Sequence, residues 1–267
     1  MSYAMWLAMV SVPFVVLERL VPRDASQGFF RRGLLRDFGF FVLNGHFVGV
    51  GLAIASGWLW GLAQQQWSLP AGGLFSVQPV ASGWPSWLQF LVAFVVLDLV
   101  QWLTHVTLHR VPWLWEFHKV HHAITEMDFW GSLRFHWMEV VVYRTTQFLP
   151  LLWLGASPEV LMALAVVSTV IGHMNHANVR LRFGPLAYIV NSPHMHLWHH
   201  VHGDAGPVNR NFGINLAVWD WLFGTAYLPK EEPARLGFAG VESFPKTLVG
   251  ELVWPVEIPE SAERSTT

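Results

Sequence analysis

Histidine is the residue type best placed to do chemistry in this chain. Of its 14 histidines, 13 fall between His105 and His202. His105 and His109 stand four apart, which on a helix puts both imidazoles on one face, within reach of one metal ion. His118, His121 and His122 form an H-x-x-H-H box, His196, His199 and His200 form a second, and His173 and His176 give a looser pair three apart. A single histidine at a membrane interface is usually a packed, hydrogen-bonded side chain. A set repeated at helical spacing needs partners, and the sequence offers few acids to serve it. A catalytic zinc takes three protein ligands and a structural one four, so this many clustered imidazoles favours a dinuclear centre.

The chain has no cysteine. That removes disulfides, thiolate nucleophiles, cysteine-type zinc sites, iron–sulfur clusters and thiolate-ligated haem. Neither H-E-x-x-H nor E-x-x-H occurs, so a zincin-type protease and the carboxylate-bridged di-iron pattern of soluble proteins are both unsupported. Imidazole-rich ligation without thiolate leaves two iron ions (Fe2+/Fe3+) working with dioxygen as first choice, and copper open on ligand chemistry alone.

The elements that position these residues are apolar. Of 267 residues, 53% are hydrophobic and 13% charged, and the net charge of -2 gives no reason to expect nucleic acid binding. No Asp, Glu, Lys or Arg lies between Asp37 and Asp98, a stretch long enough to cross a bilayer twice. Spans are expected at about residues 3–21, 38–63 and 86–106, the first retained rather than cleaved. A short hairpin is expected at about 140–172, broken at Pro150 and at Gly155, Ala156, Ser157 and Pro158. Arg19, Arg23, Arg31, Arg32 and Arg36 follow the first span, whereas the loop at about 64–86 has no Lys or Arg, so the first loop reads as cytoplasmic and the second as outer. All dense histidine segments then reach the cytoplasmic face. His46 stands alone in the second span and reads as a packed core histidine.

The expected architecture is a multi-pass, all-α integral membrane protein of about four to five transmembrane helices, including the hairpin. A cytoplasmic helical cap, residues 107–138 and 173–228, would hold a histidine-ligated dinuclear metal site. It reads as one domain: N-terminal spans over 1–106, a histidine-box catalytic region with the hairpin over 107–228, and a solvated C-terminal tail over 229–267.

The runs "HVTLH", "LWEFHKVHH", "HMNHANVRL", "SPHMHLWHH" and "NRNFGINLAVWDWLFGTAYLP" resemble the fatty acid hydroxylase superfamily, membrane di-iron oxygenases that include sterol desaturases and C-4 methyl oxidases, over roughly residues 90–229. The resemblance implies metal-binding roles for His105, His109, His118, His121, His122, His176, His196, His199 and His200, with His173 a further member of the third box. His136 with Glu139 resembles the family's "R-x-H-P-x-E" region, with Trp137 in place of the proline.

A metal-bound imidazole usually passes its other N–H to a carboxylate or carbonyl, which makes Asp98, Asp128, Glu139 and Asp220 candidate orienting groups. His136 and His202 are candidates for the same outer shell, and His194 flanks the last box. The function implied is O2-dependent hydroxylation, or desaturation, of an unactivated C–H bond of a lipid such as a sterol, fatty acyl chain or other isoprenoid or alkyl lipid entering from the bilayer. Electrons would come from an external ferredoxin, rubredoxin or cytochrome with its reductase, for which Arg110, Lys119, Arg180, Arg182 and Arg210 offer a basic face. The rival readings are a histidine-rich membrane metal transporter and a non-catalytic lipid-binding homologue. Spans nearly free of charge and regular boxes speak against both.

Overall fold

A computed structural model describes residues 3–67, 80–81 and 83–256. These are helical, with only isolated β-bridges and no strand among the described residues. Helix α1 runs Tyr3–Leu20 and α2 runs Leu34–Val42, continuing through a π-helical turn, Leu43–Phe47, into α3, Val48–Trp67. Then come α4 (Ser86–Arg110), α5 (Pro112–His122), α6 (Trp137–Leu154) and α7 (Pro158–His176), followed by the short α8 (Pro193–His199), α9 (Val218–Phe223) and α10 (Leu248–Val253). Among the described residues, α4 and α7 are long and apolar enough to cross a membrane. Most of the expected outer loop and the tail beyond Val256 lie outside the described residues, as does the side chain of His46.

Two joints position the histidines, and both are written in local residue chemistry. Val111 is extended (φ -93, ψ 113) because the next residue is proline, and Pro112 then starts α5 where its missing N–H costs nothing. The chain therefore turns sharply between α4 and α5 and folds the two helices' histidines against each other. At the expected break, Gly155 ends α6 in the left-handed region (φ 63), the Ser157 hydroxyl accepts from the Val160 amide at 3.4 Å, and Pro158 opens α7. Pro150 stays inside α6.

The segment after Pro229 departs from the expected solvated tail. Phe238, Val241, Phe244, Leu248, Leu252 and Trp254 pack with Phe40, Val120 and Ala123, closing an apolar cluster over the back of α5. Basic residues of the first loop are also drawn inside rather than left at the headgroups. Arg31 donates to Asp128 at 2.5 Å and to Asp37 at 2.7 Å, and the buried Arg134 donates to Asp37 at 2.8 Å and to Glu251 at 2.6 Å. Arg36 adds a contact to Glu251 at 3.0 Å. Each of these acids is shared between two guanidinium groups or held bidentately, which keeps the buried charges compensated.

Candidate metal centre

Helix α4 carries His105 and His109, α5 carries His118, His121 and His122, the end of α7 carries His176, and α8 with its final cap carries His196, His199 and His200. Their ring nitrogens converge in two groups, each with its candidate ligand atoms within 4.8 Å of one another: His105, His109, His118, His122 and His199 in the first, His121, His176, His196 and His200 in the second. The H-x-x-H-H boxes interlock crosswise. In each box the residues four apart share a face and serve one group, while the remaining histidine, rotated about the helix, serves the other. Thus α5 sends His118 and His122 to the first group and His121 to the second, and α8 with its cap sends His196 and His200 to the second and His199 to the first.

The donor arithmetic of these rings is informative. The Nδ1 of His105 lies 2.8 Å from the Phe212 carbonyl, that of His199 2.8 Å from the Arg210 carbonyl, and that of His118 2.7 Å from a Glu139 carboxylate oxygen. In the second group the His176 Nδ1 faces the Gly172 carbonyl at 2.9 Å and the His121 Nδ1 faces the Arg134 carbonyl at 3.2 Å. The four carbonyls can only accept, as does Glu139 in its ionised form, which burial disfavours and a neighbouring cation restores, so each Nδ1 carries the proton and each Nε2 presents a lone pair. Yet the Nε2 atoms of His105 and His118 lie 3.1 Å apart, and those of His121 and His176 3.3 Å apart. Facing lone pairs at that distance repel unless a cation lies among them. A metal–imidazole bond of about 2.1 Å, subtended at a right angle, separates two nitrogens by roughly 3.0 Å. The residues therefore fit a pair of metal ions held by neutral imidazoles.

Burial, reinforced by repulsion between neighbouring rings, holds His118, His121, His122, His196 and His200 well below the ordinary imidazole range, and burial does the same for His199 beside His105. All six are thus neutral near pH 7, the form that ligates metal.

Of the expected orienting acids, Glu139 alone touches a histidine of the two groups, and its second oxygen is buried without a partner. Asp220 acts one step removed: it accepts from the amides of Phe212 and Gly213 at 2.9 and 2.6 Å, fixing the strand of backbone whose carbonyl holds His105. Asp98 instead accepts from Asn215, Leu216 and Trp219, and Asp128 pairs with Arg31. His136 caps α6 through the Met138 amide and reaches the Leu252 carbonyl, with burial pushing it down to about 4. His202 contacts Asp204 at 2.5 Å and His194 donates to the Pro229 carbonyl.

His173 stands outside both groups. Ser11 spends its hydroxyl proton on the Leu7 carbonyl and so accepts from the His173 Nε2–H at 3.1 Å, leaving Nδ1 to accept from the Ser132 hydroxyl at 2.8 Å. Its tautomer is opposite to that of the converging rings, and Phe14 and Phe129 enclose it. Helical spacing placed it on the His176 side of α7, but α1 and the turn after Asp128 reach it first.

The run that opens at Asn209 carries part of the family resemblance, but its role is not visible in the sequence: this loop holds most of the first group. Asn209 offers its side-chain oxygen to His109 at 3.2 Å, and the carbonyls of Arg210 and Phe212 hold His199 and His105. Asn209 and Asn211 both sit at positive φ, 59 and 57 degrees, which asparagine tolerates better than most side chains. Beside this loop a cleft of about 410 Å³, bordered by Trp115, Lys119, Val208 and Phe238, reaches the edges of His109, His122 and His199.

Fold and site define a helical protein that presents two cages of converging imidazoles. The chain belongs to the fatty acid hydroxylase family, whose model matches residues 90–225. It is 32% identical over 158 residues to an ornithine lipid hydroxylase of Rhizobium tropici, covering 59% of this chain and 47% of that protein. It is 27% identical over 142 residues to the human alkylglycerol monooxygenase, covering 53% of this chain and 31% of the relative, and the Xenopus tropicalis enzyme of that name is 26% identical over 159 residues, 60% of this chain and 34% of the relative. The chain thus spans about half or less of the length of these relatives. No solved structure matches it.

Proposed function

We propose that this protein is a membrane-bound, non-haem di-iron oxygenase that hydroxylates an unactivated C–H bond of a lipid. The observation that carries the reading is that unprotonated Nε2 atoms face one another in two adjacent groups, His105 and His118 at 3.1 Å and His121 and His176 at 3.3 Å, an arrangement with no use for hydrogen bonding. Relatives named as a hydroxylase of one lipid and a monooxygenase of another support a lipid substrate.

His105, His109, His118, His122 and His199 would hold one iron and His121, His176, His196 and His200 the other. When bound, two ferrous ions supply reductive activation of dioxygen for attack on a C–H bond. The chain does the rest. Backbone carbonyls and Glu139 keep the proton of five rings at Nδ1, so that Nε2 stays free to ligate. Apolar packing of α5 under the C-terminal segment excludes water from the back of the centre. Hydroxylation puts one oxygen atom into the product and reduces the other to water, consuming two electrons and two protons. With no cysteine among these residues, a ferredoxin, rubredoxin or cytochrome outside them delivers those electrons.

The orientation is multi-pass, with the histidine groups toward the cytoplasm, supported by the arginines of the first loop and by the length of α4 and α7. The test is incorporation of isotopic oxygen from labelled O2 into extracted lipid by cells expressing the chain. A product heavier by one labelled oxygen, absent with His121→Ala, is expected. No labelled lipid, at wild-type protein level and with a reducing system supplied, would overturn the reading.

A further inference from the structure

We propose that α9 and the segment 184–190 form a platform seated in the bilayer leaflet, not part of a water-exposed cap. The proposal rests on the membrane-spanning reading of α4. Its basis is an apolar surface continuous with that helix. Trp221, Leu222 and Phe223 at the end of α9 are 37%, 67% and 54% exposed, and Leu186, Tyr188 and Ile189 are 50%, 57% and 57% exposed. The two stretches are one surface: the Tyr188 and Trp221 rings lie 4.6 Å apart, the Trp221 indole donates to the Ala187 carbonyl, and the Ala217 amide donates to the Ile189 carbonyl. A patch of this density on a soluble surface marks an interaction site.

The position along α4 identifies the occupant. Trp219 donates to Asp98 at 2.8 Å, the Trp102 indole donates to Asp220 at 3.1 Å, and the Trp102 and Phe223 rings stack at 4.8 Å. Helix α9 therefore lies along α4 between Asp98 and Trp102, roughly 18 and 12 Å from the Arg110 end at the helical rise. Along α4, Leu91, Val95 and Leu103 are also exposed, and they face lipid if α4 spans the bilayer. Water cannot bathe Leu222 and Phe223 at a depth where Leu103 meets acyl chains.

Two further features fit lipid. The acid at this depth is paired internally: Asp98 accepts from the Asn215 side chain and from the Asn215 and Leu216 amides as well as from Trp219. Such satisfaction is what hydrocarbon requires of irregular backbone. Cations stand at the rim, with Arg210 donating to the Gly224 carbonyl just past α9 and exposed Arg182 flanking the other stretch, at the level suited to anionic headgroups. Because Asp220 also holds the Phe212 backbone that orients His105, the platform ties the leaflet to the first histidine group.

The absence of cysteine makes the test direct. Leu222→Cys and Ile189→Cys are labelled singly with a fluorophore in vesicles of phosphatidylcholine and phosphatidylglycerol, beside Leu91→Cys as the α4 reference and Glu242→Cys as the water reference. Quenching by nitroxide carried on lipid acyl chains is compared with quenching by aqueous iodide. The expected result is that labels at 222 and 189 lose emission to the lipid quencher and resist iodide, as at 91, with the reverse at 242. Labels at 222 and 189 that follow 242 while 91 stays in lipid would overturn the platform alone. A label at 91 that follows 242 would overturn the membrane reading and the platform with it. Shielding of 222 from both quenchers, with cross-linking between chains, would assign the patch to a second copy and also overturn the proposal.

Discussion

Glu139→Gln isolates the one charged partner of a converging histidine. The carboxylate sits fully buried, takes the His118 Nδ1–H at 2.7 Å and leaves its other oxygen unpaired. A hydrogen bond to a charged group contributes about 1.5–3 kcal/mol and a neutral one about 1, so the amide forfeits roughly 0.5–2 kcal/mol. It also places an unpaired NH2 where the free oxygen was. With tenfold in affinity for about each 1.4 kcal/mol, iron in the first group should bind on the order of ten times more weakly. The second group draws its hydrogen bonds from the Arg134 and Gly172 carbonyls and should be unmoved. The assay is anaerobic titration with iron-57 against a competing chelator, read by Mössbauer spectroscopy. One of two iron environments should weaken and shift, while Glu242→Gln, an exposed acid paired with Arg235, should match wild type. Two unaltered irons at wild-type affinity in Glu139→Gln would refute the orienting role.

Three further outcomes follow from the same geometry. His173→Ala should keep both irons but lower stability by about 1–3 kcal/mol, because it strands the Ser132 hydroxyl in an apolar enclosure; thermal unfolding with metal analysis checks this, and loss of one iron would contradict it. Arg134→Met leaves Asp37 and Glu251 short of a buried partner and should cost about 3–5 kcal/mol, with Arg134→Lys recovering part of it in denaturant titration. Acid should destabilise the metal-free protein: His118, His121, His122, His196, His199 and His200 all titrate lower folded than unfolded and outnumber Glu18 and Glu251, which burial raises to about 7 and which act in the opposite sense, so the unfolded chain binds more protons below about pH 6.5. Unfolding midpoints should hold from pH 8 to about 6.5 and fall below it, and a flat profile to pH 5 would contradict the burial.

The histidine boxes are legible in sequence because helical spacing acts through local geometry: residues four apart share a face whatever the tertiary structure. The breaks at Val111-Pro112 and at Gly155 to Pro158 are legible for the same reason. What spacing alone does not carry is which group each box serves, since the crosswise sharing depends on how α4, α5 and α8 meet. His173 shows the limit most plainly. It has the right spacing from His176, yet partners 162 and 41 residues away claim both its nitrogens. The acids divide in the same way: Glu139 reaches a histidine, while Asp98 and Asp128 are taken by partners distant in sequence. Backbone carbonyls of Arg210, Phe212 and Arg134 orient three rings without any side-chain signature. The asparagines at 209 and 211, tolerant of positive φ, fall in the run that resembles the family, but nothing in that run says that its carbonyls orient histidines.

The central claim is that nine imidazoles hold two iron ions. Its most direct test is metal content per chain on detergent-purified protein, joined to Mössbauer spectroscopy of iron-57-enriched material. The account predicts about two irons per chain, with His118→Ala depleting one environment and His196→Ala the other, in line with the two groups. One zinc per chain, or no stoichiometric metal in protein that is folded and pure, would contradict it.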